Sequence, residues 1–145
     1  MVLIINNMAV LNIAKDFSKY TGLRHCDISE KSGEEFYHSL LNQKFKEALD
    51  KNECLILELD GADGFAPSFL DEAIGNLVFD FSLKVVEKYL DIVSVYEPHW
   101  LEMIKTQTYP QWEDRRLNEK KPKTTEEHKA WYRLVNDSLE LNKWS

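Results

Sequence analysis

The chain has 145 residues, of which 43% are hydrophobic and 30% charged, with a formal net charge of −7. This composition is that of one soluble globular domain with its own core; it excludes wholesale disorder, and two cysteines, Cys26 and Cys54, exclude a disulfide framework. The longest apolar runs fall well short of the ~20 residues of a membrane span, and Met1–Asn6 lacks the basic flank of an export signal. The expected setting is therefore reducing and cytoplasmic.

The first strand signal is Val2–Ile5, a short β-rich run bounded by Asn6 and Asn7, and the second is Val10–Ala14. Thr21–Ser29 has no clean period and reads as loop. Ser32-Gly33-Glu34-Glu35 has the spacing of a capping box, in which the serine accepts from an orphan amide and Glu35 reaches back. Phe36, Leu40, Leu41, Phe45, Ala48 and Leu49 follow at helical spacing, so a helix is expected up to Lys51 and Asn52. Cys54–Asp60 is the strongest strand, and its uninterrupted apolar start predicts cover on both faces. Gly61-Ala62-Asp63-Gly64 breaks the chain, and Pro67 prepares a helix capped by Ser68, with Phe69, Leu70, Ala73, Ile74, Leu77 and Val78 on its apolar side. A shorter helix from Ser82 to Leu90 and a strand over Ile92–Tyr96 complete an alternation that argues for an α/β layer fold with parallel neighbours.

Charge and aromatic content then mark a boundary. Residues 1–95 carry 16 of the 25 acids and 9 of the 18 bases, whereas the remainder is electrically neutral and holds all four tryptophans. The expected division is an α/β domain over residues 1–96 and a Trp-rich helical extension over 97–145. Pro98–Gln107 reads as one helix and Thr125–Lys143 as another, with Ala130, Trp131, Leu134, Val135, Ser138 and Leu139 on one stripe. Between them Arg115, Arg116, Lys120, Lys121 and Lys123 form a solvated linker or a phosphate-contacting patch. The acidic body disfavours nucleic acid as the partner.

The passage Asp60 to Ala73 is the most informative for function. Serine at a helix start after a strand sits where α/β proteins place ligand sites, and the helix dipole there stabilises an anion. Ser68 is accordingly a candidate regulatory position, while the plainer reading makes it a cap completed by Asp71. A nucleophile would require a base and an oxyanion hole; Ala66-Pro67-Ser68-Phe69-Leu70 lacks the Gly-x-Ser-x-Gly elbow. The histidines are scattered and no zinc spacing joins them to the cysteines, so no metal, cofactor or catalytic residue is expected. Adjacent acids Glu34-Glu35 and Asp71-Glu72 fit first-turn electrostatics, and Asp60 and Asp63 fit turn chemistry better than a cation site. Arg24 is a candidate partner contact or a surface salt bridge.

The order Thr21-Gly22-Leu23-Arg24, Ser32-Gly33-Glu34-Glu35-Phe36, Leu57-Glu58-Leu59-Asp60-Gly61 and Ser68-Phe69-Leu70-Asp71-Glu72-Ala73-Ile74-Gly75 resembles the bacterial STAS-like domain of unknown function, a relative of anti-sigma-factor antagonists, over residues of about 8–95. The resemblance implies a small sheet of about four strands backed by helices, and no catalytic centre. STAS relatives bind a kinase-like ATPase and are switched by phosphorylation of a serine in an Asp-Ser-Ser-Gly stretch at a helix start. Laid on this chain, Ala66 replaces the aspartate, Pro67 the first serine and Phe69 the glycine, leaving Ser68 as the hydroxyl that can accept phosphate.

These readings together give a non-enzymatic, protein-binding regulatory module whose partner is a histidine-kinase-type ATPase. Ser68 would be the phosphoacceptor, Phe65 and Phe69 the apolar anchor where exposed and core beneath the loop where buried, and Asp71, Glu72 and Arg24 the accompanying polar contacts. The alternative is an antitoxin or transcription-linked regulator that touches nucleic acid through residues 115–123.

Overall fold

The computed structural model describes residues 8–143. Strands β1 (Met8–Asn12), β2 (Cys54–Glu58) and β3 (Leu90–Val93) form a parallel sheet in the order β1-β2-β3. Between β1 and β2 run α1 (Ile13–Asp16), a long loop, α2 (Gly33–Phe36), one π-helical turn (Tyr37–Leu41) and α3 (Asn42–Asp50). Helices α4 (Pro67–Phe81) and α5 (Leu83–Tyr89) carry the chain from β2 to β3. The expected α/β class and parallel pairing hold. The predicted strand Val2–Ile5 lies outside the described residues.

Local chemistry sets the helix boundaries. Extended Ser32 caps α2, its Oγ accepting from Glu35 N at 3.0 Å. The cap of helix α4 lies two residues before the serine cap predicted at Ser68. Ala66 is the extended N-cap, Pro67 occupies the first helical position, and Ser68 lies inside the first turn. Proline explains the shift: its fixed φ and missing N–H suit that position, and its ring drives the preceding residue out of the helical region. At the other end Ser82, with φ 81°, stops α4 while its Oγ accepts from Val85 N at 3.3 Å to start α5.

The sheet buries one face more than the other. Leu55, Leu57 and Leu59 are buried, whereas Cys54, Ile56 and Glu58 between them are half-buried, so β2 alternates rather than being covered on both sides. Helix α3 packs on β1 and β2, and α5 on β2 and β3. Helix α4 is walled in by α2, α5 and the C-terminal extension, and 12 of its 15 residues are buried. Each fully buried Leu or Phe of that helix contributes about 1.5–3 kcal/mol.

The extension is part helix and part hairpin. Helix α6 (His99–Met103), a second π-helical turn (Ile104–Thr108) and α7 (Tyr109–Leu117) run further than the helix predicted over Pro98–Gln107. Trp112 of α7 lies directly on Gly75 of α4, where an added Cβ would stand 2.1 Å from the indole Cε2. The helix predicted over Thr125–Lys143 is instead β4 (Trp131–Val135) paired antiparallel with β5 (Ser138–Asn142). Asn136 (φ 50°) and Asp137 (φ 64°) supply the two left-handed residues of a two-residue hairpin turn. Trp131, Tyr132 and Val135 favour strand, and the stripe read as helical falls across both strands instead.

Candidate functional site

The residues predicted at the start of α4 separate into two groups. Ser68 is half-buried in the first turn. Phe69 is fully buried, its ring 5.8 Å from Phe36 and 5.7 Å from Phe65, while half-buried Phe65 meets the edge of Trp100 at 6.3 Å. Of the two readings of Phe69, exposed anchor and core, the structure corrects the first and bears out the second: the ring belongs to the aromatic core. The cause is the close seat of α2 on this turn. A Cβ on Gly33 would stand 2.4 Å from the Phe69 carbonyl oxygen, so only glycine allows the approach that covers the ring.

Arg24, Asp71 and Glu72 form the second group, on the other side of the turn. Arg24 Nη1 donates to Asp71 Oδ2 at 2.8 Å and Glu72 Oε1 at 3.1 Å. Trp112 Nε1 donates to the same Asp71 oxygen at 3.2 Å, Asn76 Nδ2 to Glu72 Oε2 at 2.9 Å, and His25 Nε2 lies 3.5 Å from that atom. Glu72 is buried, and loss of solvation raises its pKa despite the Asn76 and Arg24 bonds. Burial opposes the charge on Arg24, yet its two carboxylate partners raise its pKa. The half-buried Arg24 guanidinium is thus committed to two carboxylates of its own fold. A cleft of about 270 Å³ opens above this network, closed by Gln111, Lys123 and Arg115, whose guanidinium lies 4.1 Å over the Trp112 ring.

Sequence reasoning assigned Glu34 only to helix electrostatics, but it is the anchor of a clasp. This buried carboxylate accepts from Cys26 N (3.1 Å), Thr125 N (2.9 Å), Thr125 Oγ1 (2.7 Å) and His128 Nε2 (2.6 Å). Burial works to raise its pKa, and the bonds from His128, Cys26 and Thr125 overcome that and hold it well below the usual carboxylate range. Cys26 Sγ, Glu34 and His128 bring ligand-type atoms within 4.8 Å of one another. Burial pushes the Cys26 thiol up to about 12, and its Sγ lies 3.3 Å from Ser32 Oγ. Both Glu34 oxygens already accept hydrogen bonds, so the arrangement serves as a hydrogen-bonded clasp. No local motif joins Glu34 to residues more than ninety positions away.

A third cluster lies at the carboxyl edge of the sheet. Asp60 accepts from Val95 N (2.8 Å) and Tyr96 N (3.1 Å), Asp63 N donates to Lys19 O at 2.8 Å, and Thr21 Oγ1 to Gly64 O at 3.2 Å. These bonds lace together the loops that follow all three strands. Asp60 thus works through backbone amides, but those of the loop after β3 and not of its own turn, where turn chemistry places them. On the laced loops Tyr20, Val95 and Tyr96 are 67%, 70% and 85% exposed. Of the basic cluster, Arg116 pairs with Glu113 at 2.7 Å and Arg115 donates to Lys121 O at 3.3 Å, while Lys120, Lys121 and Lys123 are exposed.

No helix among the described residues is long and apolar enough to cross a membrane. No curated protein and no solved structure matches the chain. A family model does match, from the α2 cap to Trp100 of α6; it takes in Ser32–Phe36, β2, the whole of α4 and β3, and leaves the Arg24 loop and most of the extension outside. Residues 32–100 are similar to a STAS-like domain of unknown function.

Proposed function

We propose that the chain is a non-enzymatic regulatory module that grips a histidine-kinase-type ATPase through the loops at the carboxyl edge of its sheet. Phosphate on Ser68 releases that grip. The observation that carries the reading is the exposure of Tyr20, Val95 and Tyr96 on loops held rigid by Asp60, Asp63 and Thr21. Tyrosines on a preorganised surface bury large area at low entropic cost, which is how binding hot spots are built. This edge replaces Phe69 as the apolar anchor.

Ser68 lies at the start of the helix that follows one of these loops. A phosphate there adds about −1.5 to −2 charges, which a helix N-terminus accommodates and an apolar interface does not. Burying such a charge unpaired costs several kcal/mol, enough to dissociate a micromolar complex. The family assignment supports the module's class, and the ATPase partner follows from the likeness to antagonists of this fold.

The test is the affinity of the full chain for a purified ATPase of this type from the same cell. The double variant Tyr20→Ser/Tyr96→Ser should weaken binding at least about tenfold, a loss of roughly 1.4 kcal/mol, with an unchanged melting temperature. Ser68→Asp should weaken it and Ser68→Ala should not. Unchanged affinity in the double variant overturns the surface. Absence of binding by any such ATPase at about 100 µM, where a complex would be worth only some 5–6 kcal/mol, overturns the partner class.

A further inference from the structure

Between α4, the π-helical turn after α2 and the hairpin lies a cavity of about 160 Å³, bordered by His38, Phe79, Asp80, Lys121, Trp131 and Arg133. It is comparable in size to an engineered cavity of about 150 Å³ that admits a benzene ring. His38 is 3% exposed, and neither of its ring nitrogens has a hydrogen-bond partner. An imidazole buried in this way forfeits solvation at both nitrogens. Packing alone does not account for it. The ring stacks on His128 at 4.1 Å and meets the edge of Trp131 at 4.4 Å, contacts that a phenylalanine would make without orphan polar atoms.

The rest of the lining supplies a charge. Arg133 lies over the Phe79 ring at 4.9 Å, and its nearest carboxylate, Asp80 Oδ1, is 3.8 Å from Nε, beyond hydrogen-bond range. Asp80 already accepts from Tyr37 Oη at 2.5 Å. Arg133 and Lys121 therefore face an aromatic-walled cavity in which Asp80 is the one acid among the described lining residues. A guanidinium fork matches a planar carboxylate. A phosphate dianion would meet the Asp80 oxygens, which favours an anion of single charge.

We propose that this cavity binds a ring-sized aromatic carboxylate, its carboxylate on the Arg133 guanidinium and a polar ring atom on His38. The site lies away from the loop edge argued above for protein binding, and the inference stands apart from that reading.

The test uses nicotinate, benzoate and benzylamine at concentrations up to about 10 mM, followed in the full chain by the His38 ring resonances and by titration calorimetry; such one-ring ligands bind in the millimolar to micromolar range. Nicotinate should shift the His38 resonances and bind at least fivefold tighter than benzoate, which lacks a ring nitrogen, and benzylamine should not bind. Arg133→Gln should weaken nicotinate at least tenfold. His38→Phe should keep the fold, raise the melting temperature and bring nicotinate down to the affinity of benzoate; His38→Leu, equally without a polar atom, gives the same comparison should the phenyl ring fail to pack. Failure of nicotinate to move the His38 resonances, equal affinity in Arg133→Gln, or binding of benzylamine as tight as nicotinate each overturns the proposal.

Discussion

His38 and Asp80 border the same cavity and bias stability with pH in opposite senses. Burial, with the neighbouring His128 adding to it, lowers the His38 pKa to about 3. The unfolded chain therefore binds the proton more readily, and the contribution of His38 to stability is complete above about pH 6.5 and lost as pH falls towards 3. Burial raises the Asp80 carboxyl to about 7, against the pull of Tyr37 and Arg133. Here the folded chain holds the proton more tightly, so stability is lost as pH rises from about 4 to 7. Asp80→Asn removes the second effect alone. Relative to the native chain, this variant should gain stability between pH 4 and pH 8, by about 1.4 kcal/mol per pH unit at the steepest. Urea unfolding at the two pH values measures the difference, and a parallel dependence in both proteins would contradict the burial of a protonated Asp80.

At the scale of elements, the first turn of α2 carries more than its own helix. Ser32→Ala deletes the cap on Glu35 N and should cost about 1 kcal/mol. Gly33→Ala keeps the cap but drives a methyl into the Phe69 carbonyl, and should cost about 1–3 kcal/mol through forced separation of α2 from α4. Denaturant titration of both variants distinguishes the terms, since only the second disturbs the stacked Phe36 and Phe69 rings. The sequence made this element legible because capping and periodicity are local. The same holds for β2 and for the body of α4. It fails at Thr125–Lys143, where the apolar positions suit two periods and the decisive signal is a pair of turn residues, Asn136 and Asp137. It fails again at Phe69, whose spacing declares it apolar while its burial depends on a glycine thirty-six positions earlier. Of the candidate site residues, Arg24, Asp71 and Glu72 do converge, but on one another, a pairing that spacing alone cannot give.

At the scale of the whole molecule, the clasp at Glu34 decides whether the extension belongs to the domain. Three hydrogen bonds from Thr125 and His128 end on this carboxylate, and Asn42 adds two more to Tyr132, accepting from its N at 2.8 Å and donating to its O at 2.9 Å. The hairpin behind them packs Trp131 and Tyr132 against the core, and Trp112 seals α7 onto Gly75. The helical half is thus held by shape, and the segment leading to the hairpin by one buried charge. Removing that charge should release the strap without melting the sheet, because the side-chain hydrogen bonds of Glu34 run to Cys26, Thr125 and His128, none of which lies in β1, β2 or β3. Glu34→Gln cannot accept from all four donors at once and loses the charge that strengthens them. Amide exchange over residues 124–135 should accelerate at least about tenfold, a local opening easier by roughly 1.4 kcal/mol, while Leu55 and Leu57 keep their native protection. The native chain should show the same selective loosening in acid. The depressed Glu34 pKa makes its contribution complete above the ordinary carboxylate range and lost as pH falls below it. Uniform acceleration across the sheet and the hairpin would mean instead that the extension and the α/β domain unfold as one cooperative unit.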